Sequence, residues 1–417
     1  MTSTHGTDES SNKANPQWLV WVLVVALVYL LLVGVGVVGA GFKWISGGAD
    51  GAQAIFAFAG NPLAGVILGT LATALVQSSS TVSSVIVGLV AGGVPVSMAV
   101  PMIMGANMGT TITNTIVSLG NLRESGAFNK SFQAATVHDF FNLYSIAIFL
   151  PIEIVFQPLE KLGGLTAGWL VGGEGASMQN ANFVGAATKP VANTIVDALR
   201  VLPDTLGAGL AIVIGIAMIM FSVIYLGKLL RGIMTGRARE LIEKAVGRRP
   251  ETGVFSGTVV TVLVQSSSTT TSLIVPLAGA GVVTTKQVFP FTMGANIGTC
   301  ITALLAATSI TGVNEVFALQ IALVHLFYNV FGVLLFLYTP WLKDLPVRSA
   351  IWLGNRAATN RGWAFGYIFA VFFVTPGAVF GGEQLFESRE PEIIEATESE
   401  QAIQCEAEVE SCEMVIE

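Results

Sequence analysis

The hexapeptide VQSSST occurs twice in the chain, at Val76–Thr81 and at Val264–Thr269, each time within apolar sequence. A polar group that stays unsatisfied in hydrocarbon is costly, so a glutamine followed by three serines indicates a binding function. Hydroxyl groups at helix N-termini favour an anion such as phosphate, because the positive end of the helix dipole points at it. Neutral side-chain oxygens suit Na+ instead. The hexapeptides therefore predict an anion site and a cation site close together.

The candidate ligands fall into two sets. The candidate phosphate ligands share a hydroxyl or amide group: Ser78, Ser79, Ser80, Ser266, Ser267, Ser268, Asn107, Thr110, Asn296 and Thr299. The candidate sodium ligands from the same reasoning share a side-chain oxygen: Gln77, Gln265, Thr115, Asp139, Asn142 and Asn329. Backbone carbonyls are expected to be exposed by unwinding at four glycines: Gly105, Gly109, Gly294 and Gly298. The alternative is that these small polar residues serve helix packing, which is common in membrane bundles.

Asp139 is the only acidic residue in the segments HDFFN and HLFYN, since Leu326 occupies the equivalent place. A lone carboxylate on a membrane helix indicates function, because its burial without a partner is costly. It serves as an ion ligand or a charge-balancing group, or it forms a structural pair with a neighbour. His138 and His325 are weaker candidates: each contacts a proton or phosphate, or is satisfied by backbone groups.

The polar segments belong to an internal duplication. Three blocks recur in the same order: VQSSST itself, Met104–Thr110 with Met293–Thr299, and His138–Asn142 with His325–Asn329. The offset between the copies stays near 188 residues. Three ordered matches at one offset identify two copies of a single unit.

The composition identifies the class of protein. Of 417 residues, 53% are hydrophobic and 11% are charged, whereas soluble domains carry about a quarter charged residues. We therefore expect an all-α membrane protein with several spans, the first of them within Gln17–Phe42, which contains no charged residue. Cys300, Cys405 and Cys412 lack metal-ligand spacing, so no redox cofactor is expected.

Each hexapeptide divides a stretch that is too short to cross the membrane twice, so residues 62–92 and 254–283 are predicted to be re-entrant hairpins. Each copy then keeps three crossings, the second of copy one at Val94–Leu119. An odd number gives the copies opposite orientations, and the arginines between Arg231 and Arg249 place that loop and the N-terminus in the cytoplasm. The predicted order is a disordered N-terminus (1–16), repeat 1 (17–156), an external loop (157–205), repeat 2 (206–340), a basic linker with a final membrane segment (341–382) and an acidic disordered tail (383–417).

These residues together resemble the type II sodium-phosphate cotransporters. The resemblance rests on the two QSSS motifs, on PMIMGANMGTTITNTIV at Pro101–Val117, on ATVHDFFN at Ala135–Asn142 and on FALQIALVHLFYN at Phe317–Asn329. It implies import of inorganic phosphate coupled to about three Na+, with phosphate between the two QSSS tips and no cofactor beyond the co-transported ion. It also implies that Asp139 accompanies electrogenic transport of divalent phosphate.

The chain departs from the family pattern at one sodium site. Animal members carry Gln-Ala-Gly-Asp after TNTIV, whereas this chain has Asn121, Leu122, Arg123 and Glu124. The resemblance therefore adds Asn121 and Glu124 to the predicted sodium ligands. No glycosylation sequon lies in the predicted external loop, which favours a bacterial chain located in the cell inner membrane.

Two other functions compete with phosphate symport. A sodium-coupled carrier of another oxyanion or of a dicarboxylate would have the same architecture. An intramembrane hydrolase would use a QSSS serine as nucleophile, but it needs a base within reach, and neither histidine has an obvious serine partner in sequence. We therefore expect a transporter, not an enzyme.

Overall fold

A computed structural model describes residues 17–47, 51–52, 60–172, 183–234, 249–312 and 314–375. Within these ranges the regular structure is helical and contains no β-strand, as expected of the predicted all-α fold. The chain divides into two units, Met1–Thr359 and Asn360–Glu417. The predicted disordered N-terminus and acidic tail, and most of the basic loop before Arg249, lie outside the described residues.

Thirteen described α-helices lie in the first unit. They are α1 Gln17–Ser46, α2 Pro62–Val76, α3 Ser79–Ala91, α4 Val96–Ser118, α5 Ser125–Phe156, α6 Pro158–Gly172, α7 Phe183–Leu199, α8 Asp204–Met234, α9 Pro250–Val264, α10 Ser267–Gly279, α11 Thr285–Ala307, α12 Glu315–Tyr338 and α13 Leu345–Thr359. In the second unit, α14 Gly362–Phe369 continues into a π-helical turn, Ala370–Val374. The predicted final span, Trp363–Phe380, is thus described only as far as Thr375.

Five described helices are long and apolar enough to cross a membrane: α1, α5, α8, α11 and α12. The predicted crossing at Val94–Leu119 corresponds to α4. This helix has 23 residues, as does α11, but it is not among the five. Its asparagines and threonines lower its hydropathy. Most of α4 is buried by neighbouring helices, so its polar side chains face protein rather than lipid.

Each hexapeptide interrupts a pair of short helices. Gln77 and Gln265 end α2 and α9 in the left-handed conformation, with φ of 57° and 55°. Ser78 and Ser266 then cap the N-termini of α3 and α10, and each hydroxyl accepts a hydrogen bond from the amide three residues later, at 3.2 Å. Because α2 and α9 each have 15 residues, they extend only about 22 Å, less than the roughly 30 Å of hydrocarbon.

The two helix pairs enter the bundle from opposite ends. The first pair ends at Ala91, close before α4 begins. The second pair ends at Gly279, which lies against Asn121 and Ser131, beyond the other end of α4. A helix of 23 residues is about 35 Å long, so the hexapeptides approach each other along its length from its two ends. The second pair begins at Pro250 rather than at residue 254, since proline suits the first turn of a helix.

The glycines of the MGANxGT segments pack helices closely. A Cβ at Gly105 would lie 1.9 Å from the Val66 carbonyl oxygen, and one at Gly294 would lie 2.0 Å from that of Val254. Helix α4 thereby packs along α2, and α11 along α9. Both α4 and α11 are continuous helices through these glycines. The prediction of unwound backbone there was wrong, because the missing side chain serves contact between helices instead.

The segment predicted as an external loop contains two helices, α6 and α7. The Glu153 carboxylate accepts hydrogen bonds from the amides of Leu159 and Glu160, at 2.9 and 2.8 Å, and so caps the start of α6. Helix α6 follows the third crossing of copy one and packs on α12 of copy two. Helix α13 follows α12 and packs on α5. Each copy therefore carries one further helix that contacts the other copy.

Candidate functional site

The two hexapeptides meet in the interior of the bundle. The hydroxyl oxygens of Ser79 and Ser267 lie 3.2 Å apart, and both side chains are 3% exposed. The Ser268 hydroxyl also donates to the Gln77 carbonyl oxygen at 3.5 Å. Serines that lie 188 residues apart in the chain thus form one cluster.

This cluster joins two helix N-termini. Ser79 and Ser267 are the first residues of α3 and α10, directly after the capping serines Ser78 and Ser266. The capping hydroxyls are engaged with Thr81 and Thr269. The positive ends of two helix dipoles therefore point at the same place, where hydroxyl groups are present and the hexapeptides contribute no acidic side chain. Such a place stabilises a bound anion.

The glutamine side chains attach each hexapeptide to a helix of its own copy, α4 in copy one and α11 in copy two. Gln77 Oε1 accepts a hydrogen bond from the Thr113 hydroxyl at 2.6 Å, and Gln265 Oε1 accepts one from Thr302 at 3.1 Å. Thr113 and Thr302 were missed by the sequence reasoning. Both follow their MGANxGT segment by three residues, so the continuing repeat carried a signal for them.

Asparagine and histidine side chains from the two copies bind each other in a crossed arrangement, which we call the crossed network. Asn107 Oδ1 pairs with His325 Nε2 at 3.1 Å, and its Nδ2 donates to Asn329 at 2.9 Å. Asn296 Oδ1 pairs with His138 Nε2 at 2.8 Å, and its Nδ2 donates to Asn142, also at 2.8 Å.

Asn107 and Asn296 thus each bind one histidine and one asparagine of the other copy. The six side chains of the crossed network are buried. The amides of Asn107 and Asn296 have both their donor and acceptor atoms engaged in this conformation. In this conformation they link the two copies, and their assignment as phosphate ligands stays a prediction.

One cluster exists in copy one alone. The Thr115 hydroxyl donates to Asp139 Oδ2 at 3.1 Å, and the Asp139 side chain is 0% exposed. Leu304 and Leu326 occupy the equivalent places in copy two. Hydroxyl and carboxylate oxygens are ligands that hard cations accept. The asymmetry gives copy one a pair of carboxylate and hydroxyl oxygens that copy two lacks.

Asn114 lies next to this acidic pair and was not singled out from the sequence. Its Oδ1 accepts hydrogen bonds from Thr271 and Ser272 of α10, at 2.8 and 3.1 Å. Its Nδ2 lies 3.4 Å from His138 Nδ1. Asn114 therefore links the second hairpin to the crossed network. Ala303 stands in its place in copy two, so a search for repeated polar residues passes over it.

The remaining candidates lie apart from the serine cluster or bind locally. Thr110 and Thr299 donate to carbonyls of their own helices, both at 3.2 Å, one turn from the crossed asparagines. Asn121 donates to Ser131 of α5 at 2.7 Å. Ser131 lies about 12 Å from Asp139 along that helix, at 1.5 Å per residue. Glu124 is exposed at the start of α5. The structure does not bring these last two together with the other candidate sodium ligands.

Comparison with known proteins gives a family profile described as Na+/Pi-cotransporter, which matches residues 30–168 and again 218–346. The rat protein named sodium-dependent phosphate transport protein 2A is 33% identical over 431 residues, covering 86% of this chain and 67% of the rat protein. The human protein named sodium-dependent phosphate transport protein 2B is 29% identical over 450 residues, covering 86% and 64%. The chain thus spans about two thirds of the length of these relatives. No solved structure matches.

Proposed function

The chain belongs to the Na+/Pi-cotransporter family, and from this membership we propose that it imports inorganic phosphate together with Na+ by alternating access. The observation that carries the proposal is the contact between Ser79 and Ser267, where two helix N-termini meet. Family membership and the names of the relatives support the substrate and the coupling ion. The site between the hexapeptides is where phosphate binds.

Alternating access requires two halves that open in turn to opposite faces. The hairpins enter the bundle from opposite ends and meet in its interior, which fits re-entrant hairpins of an inverted repeat. The two matches to the family profile begin 188 residues apart, at residues 30 and 218, the same offset as the hexapeptides. Both copies therefore contribute one hairpin to one central site.

The sodium ions bind at the oxygen-rich groups around this site. The Asp139 carboxylate, bonded to the Thr115 hydroxyl, supplies the negatively charged ligand of one sodium ion. Because only copy one has this carboxylate, one ion site differs in charge from the others, as net charge movement requires. Asn121 and Glu124 stay predictions from the resemblance, since they do not lie together with the other candidate sodium ligands. About three ions, each moving down a tenfold gradient worth about 1.4 kcal/mol, with one net charge worth about 2.3 kcal/mol per 100 mV, supply about 6–7 kcal/mol. That suffices for more than four decades of phosphate accumulation.

The spanning helices place the chain in a membrane, and we propose the plasma membrane, or the inner membrane of a bacterium. The hydrolase alternative finds no support in the described part of the chain. The Nε2 atoms of His138 and His325 lie at hydrogen-bond distance from asparagines, at 2.8 and 3.1 Å, and not from a QSSS serine. A nucleophilic serine needs a base at that distance.

Uptake of radiolabelled phosphate tests the proposal, with arsenate, sulfate and succinate as competitors. We expect arsenate to compete, because it has the charge and shape of phosphate. Ser79→Ala and Ser267→Ala should lose most uptake, whereas Ser222→Ala, which changes a buried serine of α8 outside the two hexapeptides, should retain it. Uptake of labelled succinate without uptake of labelled phosphate would identify a dicarboxylate carrier. Full uptake in both hairpin variants would remove phosphate from the serine cluster.

A further inference from the structure

Two adjoining cavities lie at one end of the bundle, away from the serine cluster. The first has a volume of about 420 Å³ and is bounded by the end of α1, the end of α3, helix α7 and the connection between α11 and α12. The second has a volume of about 580 Å³ and shares Lys189, Asn193 and Thr311 with the first. We call the two together the lysine cavity.

The walls of the lysine cavity carry positive charge. Lys43 and Lys189 line it, together with the hydroxyl or amide groups of Asn193, Ser309 and Thr311. No aspartate or glutamate is among the described residues that line either cavity. Two ammonium groups and several neutral polar groups, without a carboxylate, are the chemistry that binds a phosphate group.

No described acidic side chain of the neighbouring elements lines the cavity. On α7, Asp197 forms an ion pair with Arg200 at 3.1 Å. At the start of α8, Asp204 accepts a hydrogen bond from Trp44 Nε1 at 3.1 Å. Glu315, which begins α12, is buried and does not line the cavity. Among the described residues no ion pair involves Lys43 or Lys189.

The position of the cavity suits the entry of substrate. Its walls come from four separate parts of the chain: the end of the first span, the end of the first hairpin, the predicted external loop and the connection that follows α11. The predicted topology assigns all four to the external face. An importer meets its anion on that face, and a cationic cleft raises the local concentration of anions there.

We infer that the lysine cavity is an external binding site for a phosphate group, held by Lys43 and Lys189. The inference takes the direction of transport from the proposed function, whereas the binding of a phosphate group does not depend on that function. The bound phosphate group is either free inorganic phosphate on its way to the serine cluster, or part of the head group of an anionic lipid. Both have the same charged oxygens, and the experiment separates them.

Binding is measured first without transport, on the purified full chain in sodium-free buffer. An amine-acylating reagent modifies exposed lysines, and mass spectrometry gives the rate at each one. Inorganic phosphate should slow the acylation of Lys43 and Lys189 on the order of tenfold. Lys161 is the matched control, an exposed lysine that donates to the Phe156 carbonyl at 2.8 Å and lies outside the cavity. Its rate should not change.

The lipid arm replaces phosphate with vesicles of phosphatidylglycerol or, as a neutral control, phosphatidylcholine. Slower acylation of the two cavity lysines in phosphate identifies the free anion as the ligand. Slower acylation in phosphatidylglycerol alone identifies a lipid head group as the ligand. Acylation rates at Lys43 and Lys189 that change neither with phosphate nor with phosphatidylglycerol would overturn the inference. This result is independent of uptake, so it is distinct from a failure of the proposed function, in which the unaltered chain itself imports no phosphate.

Transport gives the second measurement. Exchange of both cavity lysines for glutamine should raise the KM for phosphate on the order of tenfold at low ionic strength. The maximal rate should stay the same, because the serine cluster is unaltered. The difference should shrink at high salt, since exposed charges are screened. Lys161→Gln should behave like the parent chain. If the head group is the ligand, the double exchange removes instead the effect of phosphatidylglycerol on uptake.

Discussion

The crossed network predicts that Asn296→Ala destabilises the fold strongly. The change removes the hydrogen bonds to His138 and Asn142, both at 2.8 Å, and leaves two fully buried polar groups without that partner. A stranded buried group costs about 1–3 kcal/mol, and single hydrogen bonds in membrane bundles contribute about 0.6 kcal/mol on average. We therefore expect a loss of about 2–4 kcal/mol in the free energy of unfolding.

The equivalent change in the other copy supplies an internal comparison. Asn107→Ala removes the bonds to His325 and Asn329, so it should cost about as much as Asn296→Ala. Asn121→Ala is the control, because it removes one hydrogen bond at a partly exposed position and should cost about 1 kcal/mol or less.

The assay is unfolding of the detergent-solubilised chain followed by tryptophan fluorescence, for each variant and for the double variant with Asn142→Ala. The cycle of Asn296→Ala and Asn142→Ala should give a coupling energy of about 1 kcal/mol. Purely additive losses, or a loss for Asn296→Ala no larger than for Asn121→Ala, would refute the crossed arrangement.

Three further results are expected. Asp139→Asn keeps the volume of the side chain but removes its charge, so net current per imported phosphate should fall to near zero while some uptake remains; unchanged current would contradict the charge role. Gly105→Ala should abolish folded expression, because its Cβ would lie 1.9 Å from a carbonyl oxygen, whereas Gly126→Ala meets no atom within 4 Å and should express normally. In a background without native cysteines, Ser79→Cys with Ser267→Cys should form a disulfide under mild oxidant, because the hydroxyls lie 3.2 Å apart; absence of the cross-link under denaturing electrophoresis would show that the hairpins do not meet.

The hairpin sequences carry their own local signals. Glutamine followed by serines ends one helix and caps the next, so the helix breaks at Gln77 and Gln265 could be predicted. Which side chains the second hairpin touches could not be predicted, since spacing along the chain carries no information about contacts between helices. The role of Asn114 depends on such contacts with Thr271 and Ser272.

The MGANxGT segments show where the same residues allow two interpretations. Glycine permits unwound backbone, and it also permits close approach of two helices. The carbonyl of Val66 decides between them, because it occupies the space that a Cβ at Gly105 would need. Helix α6 was missed for another reason. It has only 15 residues and a charged first turn, so it is too short and too polar for a predicted span, and its start is capped by the Glu153 carboxylate near the end of the preceding helix α5.

The most direct test of sodium-coupled phosphate import is uptake of radiolabelled phosphate into proteoliposomes with Na+, Li+ or choline outside, at two membrane potentials. We expect concentrative uptake with Na+, little with choline, and a larger rate when the interior is negative. Phosphate uptake that is equal in Na+ and choline would contradict the account.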